Sequence, residues 1–271
     1  MDKKQSEIKL QSALAKIKKM YGNEAVRTAD ELRDTTEQVV STGIAGLDEA
    51  LGIGGIRKGS IVEICGPEST GKTTLALHLA KQYQETGTPV LYVDSERSLT
   101  KEAIKRTGIK GDSLYLLNEA ILEKVLDICI DSVEAFGAII IDSLAGLAAE
   151  AQRDGDIGDC NTGVIARTIS KALAILTPVL ADAECTLIIV NQLREKVGII
   201  FANPEISMGG RALRYYETSK IDLRRVDTIK KRGEVEGIRI RAKVVKNKIA
   251  TPFKETEFNI MFGKGIITQN E

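Results

Sequence analysis

Nine consecutive residues hold the densest chemistry in the chain: Gly66, Pro67, Glu68, Ser69, Thr70, Gly71, Lys72, Thr73 and Thr74. They fit the pattern G-x-x-x-x-G-K-[ST]. The two glycines let the backbone curl so that successive N–H groups face phosphate oxygens. Lys72 can reach β- and γ-phosphates, and Thr73 can offer its hydroxyl to Mg²⁺. The pattern needs a strand before it and a helix after it. Residues 61–65, Ile-Val-Glu-Ile-Cys, read as a short buried strand, and Leu75, Ala76, Leu77, Leu79 and Ala80 read as one face of a helix. The chain is expected to bind a nucleoside triphosphate.

Three further polar positions follow apolar runs. Val93 leads into Asp94-Ser95-Glu96, where a carboxylate could orient water against a γ-phosphate; Asp94 could instead cap a helix. Residues 138–141, Ala-Ile-Ile-Ile, lead into Asp142, which is placed to hold Mg²⁺. Residues 187–190 lead into Asn191-Gln192, and Gln192 at a strand end could touch the γ-phosphate. Ligands of open α/β sheets sit beyond the carboxyl ends of the strands, so these positions belong to one site. Residues 197–210 contain Gly198, Pro204, Gly209 and Gly210 and read as a mobile loop, either a switch tied to Gln192 or an ordinary surface loop.

The elements that must carry these groups alternate. Apolar strand candidates at 61–65, 90–93, 114–117, 138–141 and 187–190 have helical patterns between most of them. That order implies an α/β fold with a doubly wound, mainly parallel sheet. Beyond residue 220, Ile238, Ile240, Ala242 and Val244 alternate with Arg239, Arg241 and Lys243, the pattern of an edge or antiparallel strand with a basic wet face. At the other end, Leu10, Leu14, Ile17 and Tyr21 mark an amphipathic helix over residues 5–21, halted by Gly22 and Asn23. It could pack on its own domain or on a neighbouring subunit. Residues 24–38 read as a linker.

Composition sets the outer bounds. The 271 residues suffice for one large or two small domains, and 43% hydrophobic with only 4% aromatic points to an aliphatic core. Thirty-eight basic and 38 acidic residues cancel, so no partner follows from net charge. Local charge differs: residues 211–248 hold thirteen Lys/Arg against five Asp/Glu, which suits a nucleic-acid backbone or a merely solvated face. Cys65, Cys129, Cys160 and Cys185 form no C-x-x-C pair and read as free thiols. With no targeting core at the N-terminus and no apolar run long enough for a bilayer, a soluble cytoplasmic protein is expected. His78, the only histidine, falls in the helix after the phosphate loop and reads as structural.

From about Val39 to Phe262 the chain resembles the bacterial RecA recombinases. The resemblance rests on residues 66–74, on Ser41-Thr42-Gly43 with Leu47-Asp48, on Asn191-Gln192-Leu193-Arg194-Glu195-Lys196 with Phe201 and Asn203-Pro204-Glu205, and on Lys243-Val244-Val245-Lys246-Asn247-Lys248. It implies a RecA-type P-loop ATPase core over residues 39–271 with an N-terminal oligomerisation arm over residues 1–38. It further implies a DNA-dependent ATPase that polymerises on single-stranded DNA as a helical filament. ATP and Mg²⁺ would be held between subunits, and the filament would pair with duplex DNA in recombination, repair and the damage (SOS) response. Lys72 and Thr73 would bind phosphate and metal, Asp142 would support the metal, Glu96 would direct the water and Gln192 would sense the γ-phosphate. Lys246 and Lys248 would reach into the neighbour's site. DNA loops would span residues 154–162 and 194–210, and Arg167, Arg194, Lys196, Phe201, Gly209, Gly210 and Arg211 would contact DNA.

The chain also departs from the family. Members usually continue into a separate C-terminal domain, whereas this chain stops at Glu271; the resemblance thus implies a shortened member with weaker duplex capture. Thr100 and Ala103 stand where an adenine-stacking tyrosine is usual, and Asn161 and Thr162 replace a usual His and Met. Residues 212–220 follow a family signature with Lys/Arg and aromatic exchanges. An accessory protein that co-assembles with a full-length filament is the alternative reading, ahead of a related helicase-like or signalling ring.

Overall fold

The computed structural model describes residues 3–31, 38–154, 162–195, 205–207 and 209–267. The chain forms two compact units, Met1–Glu37 and Gln38–Glu271. The first contains α1 (Lys3–Tyr21) and two short 3₁₀ turns, Asn23–Ala25 and Ala29–Glu31, within the stretch read as a linker. Helix α1 ends where Gly22, at φ 95°, turns its N–H onto Lys18 O. That positive φ is one glycine adopts at little steric cost, so the chain leaves the helix here. Ile8, Leu10, Met20 and Tyr21 of α1 are exposed.

The second unit begins with a small hairpin of β1 (Val39–Val40) and β2 (Ile56–Arg57) around α2 (Ala45–Leu51). Then come β3 (Ile61–Gly66), α3 (Lys72–Glu85), β4 (Val90–Asp94), α4 (Lys101–Thr107), β5 (Leu114–Leu117), α5 (Leu122–Ser132), β6 (Ala138–Asp142), α6 (Glu150–Asp154), α7 (Thr162–Ala183), β7 (Thr186–Glu195), β8 (Glu205–Ser207), α8 (Gly210–Tyr216), β9 (Ser219–Lys231), β10 (Glu234–Asn247), β11 (Glu255–Met261) and β12 (Gly265–Ile267). The sheet order is β12-β11-β10-β9-β3-β7-β6-β4-β5. Strands β9 through β5 pair in parallel, and β9 to β12 are antiparallel. The mainly parallel sheet with an antiparallel portion is as expected, and the basic strand β10 lies inside the sheet, paired on both sides.

The apolar runs are continuous because both faces of the sheet are covered. In β6, Ala138 and Ile140 point to one layer while Ile139 and Ile141 point to the other. In β7, Ile188 and Val190 part from Leu187 and Ile189 in the same way. On the first layer α3 lays down Leu75, Leu79 and Tyr83, four residues apart. On the second, α5 contributes Leu122, Val125, Leu126 and Cys129, and α7 contributes Ile165, Ile169, Leu173, Leu176 and Leu180. The i, i+3, i+4 spacing of these side chains is that of a helix with one buried stripe.

Helix α7 also corrects an expectation. Its Gly163–Ala183 segment is long and apolar enough to cross a bilayer. The sequence reading missed it because threonines, Arg167 and Lys171 interrupt the run. Its apolar stripe lies in the sheet's second layer, which accounts for the composition without a membrane.

The stretch 197–210, read as a mobile loop, contains a strand among its described residues. Strand β7 continues to Glu195, and β8 returns antiparallel to it, Leu193 opposite Ser207 and Glu195 opposite Glu205. Gln192 is therefore inside a strand, three residues before its end. Lys196, Phe201 and Cys160 lie outside the described residues, as do residues 155–161 of the first expected loop.

Candidate nucleotide site

Parallel pairing brings the carboxyl ends of the central strands level. Gly66 of β3 stands opposite Gln192 of β7, and Asp94 of β4 stands opposite Asp142 of β6. The phosphate loop leaves β3 at Gly66 and enters α3 at Lys72, with Gly71 in the left-handed region at φ 81°. Gly66 lies at φ 155°, and a Cβ there would stand 2.4 Å from Leu223 O of β9. Only a glycine lets the loop turn this close to the next strand.

A cleft of about 660 Å³ opens over these strand ends. It is lined by Glu68, Ser69, Thr70, Gly71, Lys72, Thr73 and Thr74, by Glu96, Asp142, Ser143 and Gln192, and by Arg225 with an apolar wall of Val190, Ile238, Ile260 and Phe262. Four separately read segments thus meet in one cavity. Lys72 Nζ donates to Gly66 O at 3.0 Å and Pro67 O at 2.6 Å, and burial holds its pKa below the usual lysine range despite the nearby Asp142. Thr70 Oγ1 donates to Pro67 O at 2.9 Å and ties the loop to itself.

Asp142 accepts from Tyr92 Oη at 2.6 Å and from Thr73, and burial raises its pKa. One buried carboxylate beside one hydroxyl is a hard, all-oxygen donor pair. That fits Mg²⁺, which takes few protein ligands and completes its octahedron with water and phosphate oxygens. Among the described residues no group of three or more His, Cys, Asp or Glu could hold a metal, so the protein alone builds no closed cage.

The Asp94-Ser95-Glu96 segment divides its duties. Asp94 accepts from the N–H groups of Ser98 at 3.1 Å and Leu99 at 2.9 Å, which fixes the turn after β4. The cap of α4 itself is Thr100, whose Oγ1 accepts from Ala103 N. Asp94 is therefore structural, though not a helix cap. Glu96 stays exposed on the cleft, its Oε1 accepting from Ser143 Oγ at 2.7 Å. Ser95 Oγ donates to Ser143 O at 2.7 Å and accepts from Ser143 N at 2.9 Å, which locks β4 to β6 behind it. A Cβ at Gly146 would come within 2.4 Å of Ser95 Oγ and 3.3 Å of Glu96 Cγ, so a glycine is needed there too.

Lys246 and Lys248 do not line this cleft. Lys246 Nζ donates to Arg214 O and lies 3.6 Å from Glu217 Oε1. Lys248 Nζ donates to Tyr215 O at 2.6 Å and sits 5.7 Å over the Tyr215 ring. Both ammonium groups cap the carbonyl end of α8, where unsatisfied C=O groups and the helix dipole favour cations. Gly209, in the left-handed region at φ 87°, opens α8, followed by Gly210 and an exposed Arg211. Arg167 is exposed on the first turns of α7 and donates to Gly163 O at 3.0 Å. Arg194 belongs to β7, and its side chain lies outside the described positions.

Arg225 is the cleft residue that the sequence reading missed. The signal was weak: a cation on β9 beside Arg224, inside a run already counted as a basic face. His78 and three of the cysteines behave as read. His78 Nε2 donates to Thr42 O at 2.9 Å, and burial lowers its pKa, as for a neutral structural imidazole. Cys65, Cys129 and Cys185 are free and buried, and burial pushes the thiols of Cys129 and Cys185 up to about 12.

A phosphate loop between a parallel strand and a helix, with carboxylates at the ends of neighbouring strands, defines a P-loop ATPase core. The family model "RecA N-terminal domain" matches residues 8–267. The RecA protein of Clostridium novyi is 44% identical over 259 residues, covering 95% of this chain and 74% of that protein. The RecA protein of Streptomyces rimosus is 44% identical over 260 residues, covering 95% and 69%. A crystal structure of the RadB recombinase superposes with a TM-score of 0.62 at 21% identity, over 84% of this chain and 99% of that one, and shows the same fold. The chain belongs to the RecA family.

Proposed function

We propose that this protein is a recombinase that hydrolyses ATP when assembled on DNA, with each nucleotide held between two copies of the chain. The observation that carries the reading is the divided site. The phosphate loop, Asp142, Glu96 and Gln192 converge on one cleft, while Lys246 and Lys248 sit outside it on α8 of their own chain. Phosphoryl transfer draws on cations supplied in cis or in trans, and in this reading Lys246 and Lys248 are the trans supply that joins Lys72 and Arg225.

In this reading Lys72 exchanges its two loop carbonyls for phosphate oxygens. Thr73 and Asp142 would hold Mg²⁺, which would supply charge neutralisation for the phosphates. Glu96 orients the attacking water, its carboxylate held by Ser143. Gln192 touches the γ-phosphate and passes its presence along β7 to the hairpin with β8, behind which Gly209, Gly210 and Arg211 lead into α8. Arg167, Arg194, Lys196, Phe201 and Arg211 contact single-stranded DNA, and duplex DNA enters during pairing. The arm over residues 1–38 docks on a neighbouring copy. Reduced, inert thiols suit a cytoplasmic setting.

The test is ATP hydrolysis with and without single-stranded DNA, paired with electron microscopy in an ATP analogue. DNA-stimulated turnover with helical filaments is the expected result. Turnover indifferent to DNA, or closed rings, would overturn it. Stimulation that appears only when a full-length recombinase is added would favour an accessory role.

A further inference from the structure

A buried acidic pair lies behind the end of α8. Glu63 of β3 and Glu217, the residue after α8, are 1% and 0% exposed. Lys220 Nζ sits 2.8 Å from Glu63 Oε2, and Asn191 Nδ2 donates to Glu63 Oε1 at 3.0 Å. Glu217 is less well served: Lys246 Nζ at 3.6 Å is its ion-pair partner, and neither carboxyl oxygen receives a well-formed hydrogen bond. Its backbone is nonetheless fixed, because its N–H donates to Leu213 O and the next residue's N–H donates to Ile61 O at 2.7 Å.

Two adjacent buried carboxyls cannot both be charged cheaply, so the pair retains a proton. The groups that face it are Glu63 and Cys65 on β3, Lys220 and Asp222 on β9, Lys246 on β10 and Lys248 just after it, and Arg214 on α8, with the Asn191 amide on β7. Burial first, and Glu63 second, push the Glu217 carboxyl up to about 8.

We propose that Glu217 is a positioning residue for the intersubunit reaction, a latch that holds Lys246 on its own chain when ionised and frees it to reach the neighbouring nucleotide when protonated. The proposal rests on the trans role of Lys246 given above. The same buried pair touches Asn191, the residue before Gln192, so the latch lies next to the strand that faces the γ-phosphate. Raising the pH through 8 charges Glu217, draws Lys246 onto α8 and removes it from catalysis.

The experiment compares DNA-stimulated ATP hydrolysis from pH 6.5 to 9 in the wild type, Glu217→Gln and Lys246→Ala. Glutamine keeps the shape and cannot ionise. The ratio of Glu217→Gln to wild-type turnover is expected to rise from near one at pH 6.5 to about tenfold at pH 9, as one titrating group would give. Parallel pH profiles for the two proteins would overturn the latch. Full stimulation in Lys246→Ala would instead overturn the trans reading. A second readout stands apart from turnover. Difference infrared spectroscopy at pH 7 should show a protonated buried carboxyl in the wild type that is lost in Glu217→Gln, and its absence from the wild type would also overturn the proposal.

Discussion

Lys72 and Lys246 make the instructive contrast, for each is a lysine hydrogen-bonded to carbonyls of its own chain. Lys72 rests on Gly66 O and Pro67 O inside the cleft, and a phosphate need only displace those two acceptors. Lys246 rests on the carbonyl end of α8 beside Glu217, outside the cleft. One region is complete within the chain and held by short, local contacts. The other holds its cations against the end of α8, with Lys246 beside a buried acidic pair. In the proposed reading the first serves binding and the second serves control by assembly.

That division breaks most sharply at Lys248. Lys248→Ala should reduce DNA-stimulated turnover by about a thousandfold, roughly 4 kcal/mol of transition-state stabilisation, if it acts in trans. Its side chain is exposed, so the melting temperature should barely move. Equal losses with and without DNA would erase the contrast between the two regions. On the other side, Glu96→Gln should lower turnover by about a hundredfold while nucleotide binding persists, because only water orientation is removed. Filtration binding of labelled nucleotide separates the two effects.

Smaller changes sharpen how rigid the binding region is. Asp94→Ala leaves the N–H groups of Ser98 and Leu99 without their acceptor and should cost about 1–3 kcal/mol of stability in denaturant unfolding, moving Glu96 with the turn. His78→Gln should cost about 1 kcal/mol or less at neutral pH. Its pKa is lowered in the folded state, so the wild type gains stability from His78 above the ordinary histidine pKa and loses it as the pH falls below that value. Melting curves at pH 5 and pH 8 should therefore converge for the variant relative to the wild type.

The expectations drawn from local pattern fared best where the pattern was dense. The strands 90–93, 138–141 and 187–190 were legible because a parallel strand buried on both faces reads as an unbroken apolar run. The phosphate loop was legible because its glycines and lysine serve one geometry. The expectation of no apolar run long enough for a bilayer overlooked Gly163–Ala183 of α7, and periodicity alone does not say what covers such a stripe. Strand β8 was hidden in a Gly- and Pro-bearing stretch, because its pairing with β7 is set by the partner strand and not by its own residues. Arg225 was hidden for the same reason: a strand residue enters the cleft only through the register of β9 on β3.

By itself the sequence determined the central strands, their order, the phosphate loop and the polar residues that end the strands, since each depends on residues close together in the chain. Tertiary structure alone decided that Gly66 stands level with Gln192 and Asp94 with Asp142, that Asp94 holds a turn while Glu96 faces the cleft, and that Lys246 and Lys248 rest on α8. It also decided that Glu63 and Glu217, more than 150 positions apart in the chain, share one buried site. Strand register and burial set those relations, and both arise only when distant segments pack together.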